Sequence, residues 1–531
     1  MPTDAAMRLS RYGAAVLALT VVALLLRLGA GAAQHAMVPE YAAYYTTVAE
    51  ELAHGHGLTV PYVWSYLTPA VANGLALPRP AFDVWLPMPS FAALPFVAVL
   101  GGDGASRLAG ALAGAALVPL VALLGRRTAL AAGHGDGQAA AVALVAAGLV
   151  AVSQPLVTGS ISSDSQALLG VTGVAGVLAV EHAIGSGRLR DLVLAGVVLG
   201  AGLLTRNETV FLAAAAVVLV AATGGLPRAA RLGRAGLLAV VAAACYAPWA
   251  IRQWQIFGTP LPGQTAANAF SVSPLDIFGW ASPPPSLSTY LAAGPAALLD
   301  QRVTAFTHNL LDVAILPALP WTVVGLAGAA LLWRARPLRL LLVTAVAIFA
   351  ADTLVFPVST LFGTFLHGSV PVLALLAIGA AHVAVRVGAA LARSEAGQAV
   401  VAVVAVGTAV GLLLATSFGA ADYAAWANGV QARYAALTRG LAAADLVDTV
   451  VIASHPAWTW RISGYSSVAL PDEDAASILS LARAYGATVV AVDGIDGPWP
   501  DAASTTACLV PIDLPAAASP LTAFRVTCTG P

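Results

Sequence analysis

Seven ionisable residues lie at or near the ends of long apolar runs, and they are the best candidates in this chain for chemistry. They are Glu40, Asp164, Arg206, Glu208, Asp312, Asp352 and His367. An ionisable side chain inside a bilayer costs roughly 2.5–3.5 kcal/mol on insertion scales, so each one needs a reason. A carboxylate can act as a general base, and an arginine can hold a phosphate through paired N–H···O bonds. Snorkelling explains any one of them alone, but together they predict a polar site at one face of a membrane.

The composition indicates the class of protein to which these residues belong. Of the 531 residues, 59% are hydrophobic and 10% are charged, and the mean hydropathy is +0.84. Soluble domains carry about 25% charged residues, so we predict a polytopic membrane protein. A net charge of -1 and a pI near 6.7 argue against a nucleic-acid partner.

Apolar runs long enough to span a bilayer recur along the chain. Eleven spans are predicted, at 13–33, 105–125, 138–157, 164–184, 190–205, 209–224, 235–251, 311–333, 338–357, 364–385 and 398–418. The first is interpreted as a retained transmembrane helix rather than a cleaved signal peptide. The fifth and sixth are short enough to form a tight hairpin. The stretch 85–102 is apolar but short and rich in proline, which favours a juxtamembrane or re-entrant helix.

The arginines predict the orientation of the chain in the membrane. With a cytoplasmic N-terminus, the inside segments hold fourteen arginines, whereas the outside loops and helix rims hold six. The same orientation predicts two long extracytoplasmic loops, 34–104 and 252–310. It also places all seven ionisable residues at or near the extracytoplasmic rim.

The last part of the chain is predicted to be a separate extracytoplasmic α/β domain, 419–531, after a transmembrane domain, 1–418. The segments "DTVVIASH", "ATVVAVDG", "ACLVPIDL" and "TAFRVTC" are typical of its strands. Cys508 and Cys528 lie in this tail, and an oxidising compartment makes them a candidate disulfide, with their separation in space left open. The tail has no phosphate-binding glycine loop, which argues against a nucleotide site.

Several segments together resemble one enzyme family. They are "YYTTVAEELAHGHGL", "PRPAFDVWLPMPSFAALPFVAVLG", "SRLAGALAGAALVPLVALLGRR", "LAGVVLGAGLLTRNETVFL" and "YAPWAIRQWQIFGTPLP". In order and spacing they resemble the GT-C superfamily of membrane glycosyltransferases, in particular family 39-like bacterial protein mannosyltransferases and the lipid A aminoarabinose transferase. The resemblance covers 13–270 well and 311–418 loosely. It implies an all-α polytopic membrane fold of GT-C type with about eleven transmembrane helices, joined to the small α/β domain.

The resemblance implies an inverting glycosyltransferase. The donor would be a sugar on a polyprenyl phosphate at the outer leaflet, and the acceptor a hydroxyl on a protein, lipid or glycan. Glu40 matches the family's general base, which removes the proton from the acceptor hydroxyl. Family members place this acid closer to the tyrosine pair, so Asp83 and Glu50 remain alternatives for the base.

The remaining site residues follow from the same resemblance. Asp164 matches a second acid, and the residues for the donor phosphate are Arg206, His367 and Arg252. The residues on the acceptor side or with other roles are Tyr44, Tyr45, Glu208 and Asp83. The resemblance implies no definite cofactor. It is compatible with a divalent cation, Mg²⁺ or Mn²⁺. The expected location is the inner membrane of a bacterium, among membrane lipids.

Two other classes of function stay open at this point. The polar residues could line the path of a lipid or glycan transporter, although alternating access usually needs a midplane site and repeat symmetry. An O-antigen ligase or polymerase type of enzyme would also use polyprenyl-linked donors. In that case the main catalytic candidates would be residues in 252–310 rather than Glu40. The identities of the sugar and the acceptor are not contained in these patterns.

Overall fold

The computed structural model describes residues 4–64, 76–261, 265–278, 285–471, 475–494 and 507–528. The chain forms two compact units, and both are discontinuous in sequence. The first unit comprises Met1–Gly31, Arg107–Ile251 and Arg302–Asp422, and the second comprises Ala32–Ser106, Arg252–Gln301 and Tyr423–Pro531. These units are groups of contacting segments and do not correspond to a division of the chain at one residue. The division into 1–418 and 419–531 therefore stays a prediction.

Helices make up most of the described chain. They are α1 (Asp4–Ala32), α2 (Glu40–Ala53), α3 (Met88–Leu100), α4 (Gly102–Ala131), α5 (Asp136–Val152), α6 (Gln154–Ile161), α7 (Ser165–Ser186), α8 (Leu189–Leu203), α9 (Thr209–Ala222), α10 (Arg228–Phe257), α11 (Thr265–Asn268), α12 (Leu275–Phe278), α13 (Leu287–Ala292), α14 (Gly294–Thr307), α15 (Trp321–Leu331), α16 (Arg336–Leu354), α17 (Thr364–Gly368), α18 (Val370–Leu391), α19 (Glu395–Ala443), α20 (Pro456–Trp458) and α21 (Ala475–Tyr485). Single turns of 3₁₀ helix occur at Leu316–Ala318, Ser359–Phe362 and Ala516–Ala518, and π-helical turns at His308–Ile315 and Thr459–Ser463.

Seven helices of the described chain are long and apolar enough to cross a membrane: α1, α4, α7, α10, α16, α18 and α19. The number rises to nine if two bent helix pairs each count as one span. The predicted total of eleven is therefore not confirmed. The difference lies at 190–205 and 209–224, where α8 and α9 have 15 and 14 residues. At 1.5 Å per residue these helices reach only about 21–23 Å, short of a hydrocarbon core of about 30 Å.

Prolines explain why two predicted spans are bent. Helices α5 and α6 meet at 53° around Ser153, and Pro155 stands in the first turn of α6. Helical segment Gly294–Ala318 meets α15 at 112°, and Pro320 is the residue that precedes α15. Proline lacks the N–H that a continuous helix requires and disfavours helical geometry at the residue before it.

The first unit is a helical bundle in which α15 and α18 approach each other very closely. A Cβ atom built on Gly328 would lie 1.9 Å from the carbonyl oxygen of Gly379, and one on Gly325 would lie 2.3 Å from that of Leu376. Only glycine permits this approach. Small residues at a helix–helix contact are typical of membrane bundles, where packing replaces the hydrophobic effect as the driving force.

A buried arginine stabilises the bend between α5 and α6. The Nη1 atom of Arg27, on α1, donates to the carbonyl oxygens of Ala23 and Ala151, and its Nη2 donates to those of Val150 and Leu156. The bend frees carbonyl groups at the end of α5 that a straight helix would satisfy. The guanidinium supplies the missing donors, which gives this membrane-embedded charge a structural function.

The second unit contains a six-stranded mixed sheet. Eight strands occur in the described chain: β1 (Thr59–Val60), β2 (Tyr62–Val63), β3 (Arg79–Pro80), β4 (Val450–Ala453), β5 (Ser467–Ala469), β6 (Ala487–Asp493), β7 (Leu509–Ile512) and β8 (Leu521–Val526). The order is β2-β5-β4-β6-β8-β7, and β1 and β3 form a separate two-stranded ribbon. The predicted strands of the tail correspond to β4, β6, β7 and β8. The edge strand β2 comes from the loop 34–104 and pairs in parallel with β5.

The tail and the first long loop thus share one core. Helix α2 packs against this region through Tyr44, which is fully buried and lies edge-on to Trp85 with ring centroids 4.6 Å apart. Cys508 and Cys528 form a disulfide that joins the residue before β7 to the end of the chain beyond β8. Helix α19 is continuous over 49 residues, and the boundary between the two units falls within it, after Asp422.

Candidate active-site residues

In the first unit, the start of α7 and the segment before α18 bring an acid and a histidine together. Asp164 is the N-cap residue of α7, and His367 lies in the short helix α17. The Oδ2 atom of Asp164 is 2.7 Å from Nδ1 of His367, and both side chains are buried. The residue after Asp164, Ser165, donates its hydroxyl to Oδ1 at 3.0 Å. The carboxylate is therefore held on both oxygens.

The turn between α8 and α9 adds a second ion pair to this group. The Nε atom of Arg206 is 3.1 Å from both carboxylate oxygens of Glu208. Its Nη1 donates to the Ser165 hydroxyl at 3.3 Å, and its Nη2 donates to the carbonyl oxygen of Thr364 at 3.4 Å. Arg206 thus connects the Glu208 carboxylate to the Asp164 pair through one neutral hydroxyl. We call Asp164, Ser165, Arg206, Glu208 and His367 the α7 cluster.

A further carboxylate lies beside the α7 cluster. A Cβ atom on Gly368 would lie 3.3 Å from Oε1 of Glu208 and 3.5 Å from Oδ2 of Asp352. The glycine therefore leaves room for two acids next to each other. Oδ2 of Asp352 is buried and has no hydrogen-bond partner among the described residues. The other predicted rim acid, Asp312, pairs instead with His308 at 3.2 Å on an exposed face.

In the second unit, Glu40 is the first residue of α2 and is only 6% exposed. Its Oε1 accepts a hydrogen bond from the backbone N–H of Ala457 at 2.7 Å. Its Oε2 is 2.8 Å from Nδ1 of His455. The candidate base is thus oriented by two groups from the short segment that follows β4. An acid in the first turn of a helix is also favourably placed in the field of the helix dipole.

The predicted acceptor-side residues lie in the aromatic core next to α2. The hydroxyl of Tyr44 accepts a hydrogen bond from the Phe82 N–H at 2.6 Å. Burial, and then the charge of Asp83, raise the pKa of Tyr44 well above its ordinary value, so the phenol is neutral. Tyr45 is buried beside it. Asp83 forms an ion pair with Arg79 at 2.9 Å, and both tyrosines serve packing in this arrangement.

Glu50, the other alternative base, belongs to a separate ion-pair group. Arg461 lies within 2.7 Å of Oε2 of Glu50 and also pairs with Asp103. Burial alone would lower the pKa of Arg461, but the two carboxylates raise it above its ordinary value. The guanidinium is therefore fully charged, and it balances both acids. We call Glu50, Asp103 and Arg461 the Arg461 triad.

Arg252, predicted as a phosphate ligand, contacts backbone in this structure. Its Nη2 donates to the carbonyl oxygens of Ala81 and Leu58, at 3.1 and 3.4 Å. The neighbouring Gln253 donates to the carbonyl of Phe82 at 2.6 Å. Both residues thereby tie the end of α10 to the loop that contains β3.

The acids of these groups do not fit a divalent-cation site. Among the residues that the structure describes, no three His, Cys, Asp or Glu side chains come together as metal ligands. Asp164 and Glu208 each contact a basic side chain instead of a second and third acid. The donor set is that of ion pairs, whereas Mg²⁺ or Mn²⁺ requires several converging oxygen ligands.

His455 is the residue of this site that sequence reasoning missed. The sequence motif "DTVVIASH" predicts the strand β4 but says nothing about the partner of its final residue. The signal that was available is position, because a polar residue directly after the end of a buried parallel strand often carries function. Its partner Glu40 is 415 residues away in sequence, so the contact itself has no local signature.

Comparison with known proteins shows which folds this chain is similar to. Residues 87–252 match the family model described as dolichyl-phosphate-mannose-protein mannosyltransferase. ArnT from Cupriavidus metallidurans, bound to undecaprenyl phosphate, superposes with a TM-score of 0.57 at 16% identity, over 97% of this chain and 99% of ArnT. The apo oligosaccharyltransferase of Archaeoglobus fulgidus gives a TM-score of 0.55 at 15% identity, over 91% of this chain and 69% of that enzyme.

Further structures of the Archaeoglobus fulgidus enzyme also match. Its complex with an inhibitory peptide and a dolichol-phosphate gives a TM-score of 0.52 at 13% identity, over 90% of this chain and 69% of that enzyme. The same enzyme has been solved with Zn and sulfate. Comparison with curated protein sequences gives no significant match.

These matches confirm the resemblance inferred from the sequence. ArnT and the oligosaccharyltransferase are both GT-C superfamily glycosyltransferases, and this chain has their fold. With seven to nine candidate spans among the residues that the structure describes, it is a mostly helical, multi-pass membrane protein with a small C-terminal sheet region.

Proposed function

We propose that this protein is an inverting glycosyltransferase that moves a sugar from a polyprenyl-monophosphate donor to an acceptor hydroxyl. The observation that carries the proposal is that the α7 cluster, except for His367, lies inside the matched segment. Asp164, Arg206 and Glu208 all lie within 87–252, the part of the chain that matches the mannosyltransferase family. The structures of ArnT with undecaprenyl phosphate and of the archaeal enzyme with dolichol-phosphate support a lipid phosphate as the carrier.

Arg206 is the proposed ligand of the donor phosphate. Its Nε side is anchored by Glu208, and its Nη1 donates to the neutral Ser165 hydroxyl. A phosphate oxygen can replace that hydroxyl without breaking the ion pair. The guanidinium then stabilises the negative charge that grows on the phosphate as the glycosidic bond breaks. Asp164 orients His367, which is a further phosphate ligand in this proposal. Arg252 keeps its expected role as a weaker phosphate candidate, and its Nη2 donates to backbone carbonyls.

Glu40 is the proposed general base. The acceptor oxygen attacks the anomeric carbon as its proton passes to the Glu40 carboxylate, and the bond from that carbon to the phosphate oxygen breaks. Attack opposite to the leaving group inverts the anomeric configuration, and the polyprenyl phosphate leaves. Ala457 and His455 fix the carboxylate in one orientation, which pre-organises it for proton transfer. We assign no step to a divalent cation, because the acids present already contact basic groups.

The remaining assignments follow the sequence analysis. We propose that the acceptor is a protein, lipid or glycan, and that Tyr44, Tyr45, Glu208 and Asp83 keep the acceptor-side or other roles expected from the sequence. We also propose that α8 and α9 complete a set of eleven membrane segments as a short hairpin. The N-terminus lies in the cytoplasm of a bacterium, and the division into 1–418 and 419–531 separates the inner-membrane part from the extracytoplasmic part.

The experiment is a transfer assay on the full chain in lipid nanodiscs. A panel of undecaprenyl-monophosphate-linked hexoses and pentoses is offered, and free undecaprenyl phosphate and glycosylated products are identified by mass spectrometry. Glu40→Gln is expected to lower the rate by about 10²–10⁴-fold, the usual contribution of a general base. The matched control is Glu395→Gln, since Glu395 is exposed at the start of α19.

Three results would contradict the proposal. Full activity in Glu40→Gln would show that Glu40 is not the general base, and Asp83 and Glu50 would then be the candidates for that role. Movement of the lipid across the membrane without a covalent product would indicate a transporter. Retention of the anomeric configuration in the product would exclude direct attack by the acceptor hydroxyl.

A further inference from the structure

A cavity lies at the opposite end of the first unit's helices from the α7 cluster. Helix α7 begins directly after Asp164 and ends at Ser186, and α9 begins directly after Glu208 and ends at Ala222. The segments around these helix ends, 183–189 and 223–226, line a cavity of about 260 Å³ together with Leu192, Val220, Arg231 and Arg234. Because α7 is 22 residues long, or about 33 Å, the two sites lie a membrane thickness apart.

The lining of this cavity is strongly basic. It includes Arg188, Arg231 and Arg234, and no acidic residue of the described chain lines it. Arg231 Nε is buried and has no hydrogen-bond partner among the described residues. Arg234 donates to the carbonyl oxygen of Gly187 at 2.6 Å, which fixes its guanidinium against the loop. The acid close to this end, Asp191, contacts His182 and Arg190, at 3.4 and 3.5 Å.

The loops around the cavity leave backbone open to a ligand. Gly187 and Gly225 have positive φ angles of 66° and 93°, which favour glycine. A Cβ atom built on Gly185, Gly224 or Gly225 would meet no atom within 4 Å. Three arginines around an open space match a phosphate, because guanidinium groups donate paired hydrogen bonds to phosphate oxygens. The volume fits a small head group rather than a drug-sized molecule.

The rim of the cavity is apolar, which favours an amphiphilic ligand over a free anion. Leu189 and Leu226 line it and are 56% and 40% exposed. An inorganic phosphate would gain nothing from these side chains, whereas an acyl chain would cover them. We propose that this cavity binds the phosphodiester head group of an anionic phospholipid, at the end of the bundle that the arginine distribution predicts to be cytoplasmic. The lipid would link the α7–α8 loop to the α9–α10 loop.

Binding is tested on the full-length protein in a neutral detergent by native mass spectrometry. Phosphatidylglycerol and phosphatidylcholine with the same acyl chains are titrated separately, and inorganic phosphate is added as a competitor. We expect the wild type to retain phosphatidylglycerol in preference to phosphatidylcholine, with no displacement by equal concentrations of phosphate. Arg188→Gln/Arg231→Gln is expected to weaken phosphatidylglycerol binding about tenfold or more, because hydrogen bonds to charged groups are lost. This variant keeps the Arg234–Gly187 hydrogen bond.

The matched control is Arg386→Gln/Arg393→Gln, which removes two exposed arginines outside the cavity on the same predicted side. It should bind phosphatidylglycerol like the wild type. Gly224→Leu fills the open space without changing any charge and should also lose the lipid, so the proposal stays testable if the arginine variant does not fold. Equal affinity of the wild type for both lipids, unchanged binding in both cavity variants, or displacement by inorganic phosphate at the lipid's concentration would each overturn the proposal.

Discussion

The α7 cluster of the first unit and the acids around α2 in the second unit use the same residue types in different ways. In the α7 cluster, the Asp164–His367 and Arg206–Glu208 pairs share contacts through Ser165, and the neighbouring Asp352 keeps a buried oxygen without a hydrogen-bond partner in the described chain. In the second unit, Glu40 pairs with His455, and Glu50 and Asp103 share Arg461. The first arrangement therefore includes a neutral hydroxyl between its ion pairs and an acceptor without a partner, whereas the acids of the second are held directly by basic side chains.

Under the proposed function, this difference suits the two tasks of phosphate binding and proton removal. A lipid phosphate must enter and leave, so its site needs a cation whose contacts can be exchanged. A general base must hold one geometry through each turnover, so its site needs fixed partners. We therefore expect substitutions of the paired residues in the second unit to lower both the free energy of unfolding and the rate of transfer. Substitutions in the α7 cluster should lower mainly the rate of transfer.

The largest expected effect is on the Arg461 triad. Arg461→Gln leaves the Glu50 and Asp103 carboxylates without their cation in a mostly buried position, and breaking such a pair costs roughly 3–5 kcal/mol. Thermal unfolding in detergent, followed by near-UV circular dichroism, measures the loss. The control is Arg126→Gln, whose ion pair with Asp136 is solvent-exposed, with side chains 31% and 85% exposed, and should cost under about 1 kcal/mol. Equal melting temperatures for the two variants would show that the triad is not a stability element.

The disulfide gives the next largest effect. Cys508→Ser/Cys528→Ser removes a cross-link between residues 20 apart in sequence. Such a cross-link lowers the conformational entropy of the unfolded chain and so raises the free energy of unfolding by about 3 kcal/mol. The wild type should lose that stability in a reducing agent, and the double variant should not respond to it. A wild type that is insensitive to reduction and purifies with two free thiols in the tail would contradict both the disulfide and the predicted oxidising compartment.

The sequence predicted most of the fold, for a local physical reason. Each of the eleven apolar runs coincides with helix in the structure, because a run of apolar residues is visible without knowledge of its neighbours. Helix bends were harder to predict, since Pro155 and Pro320 lie inside apolar runs that are each long enough to be one span. The strand β2 was missed altogether. This strand has only two residues, too few to show an alternating pattern, and its partner β5 lies about 400 residues away in sequence, at 467–469.

The site divides in the same way. Asp164, Arg206, Glu208 and His367 were predicted to lie at one rim because each is a polar residue beside an apolar run, and the structure brings them together. His455 and Arg461 were not found, because they lie in the tail, where charged residues are ordinary. Their partners are 358 to 415 residues distant in sequence, and no local pattern reports a pairing over that distance.

Within the α7 cluster, we expect an effect on activity without an effect on stability. Arg206→Lys keeps the positive charge beside Glu208 but loses the planar fork that the phosphate requires. We expect transfer to fall about a hundredfold, or about 2.7 kcal/mol of transition-state stabilisation, with a melting temperature close to that of the wild type. Arg393→Lys, at an exposed position, is the control and should leave the rate unchanged. An equally slow Arg393→Lys variant would show that the loss does not arise from phosphate binding.

The smallest predicted effect distinguishes orientation of Glu40 from simple packing. His455→Ala removes one of the two hydrogen bonds on the Glu40 carboxylate, and we expect kcat to fall about tenfold with little change in KM, as for a lost hydrogen bond to a charged group. His455→Asn can place an amide donor near the position of Nδ1, so it should recover most of kcat. If His455 only filled space beside Trp458, whose ring centroid is 4.3 Å from its own, the asparagine would rescue nothing and both variants would lose stability together. Rescue of kcat by asparagine, measured with melting temperature, therefore tests whether the second unit contributes to the reaction or only supports α2.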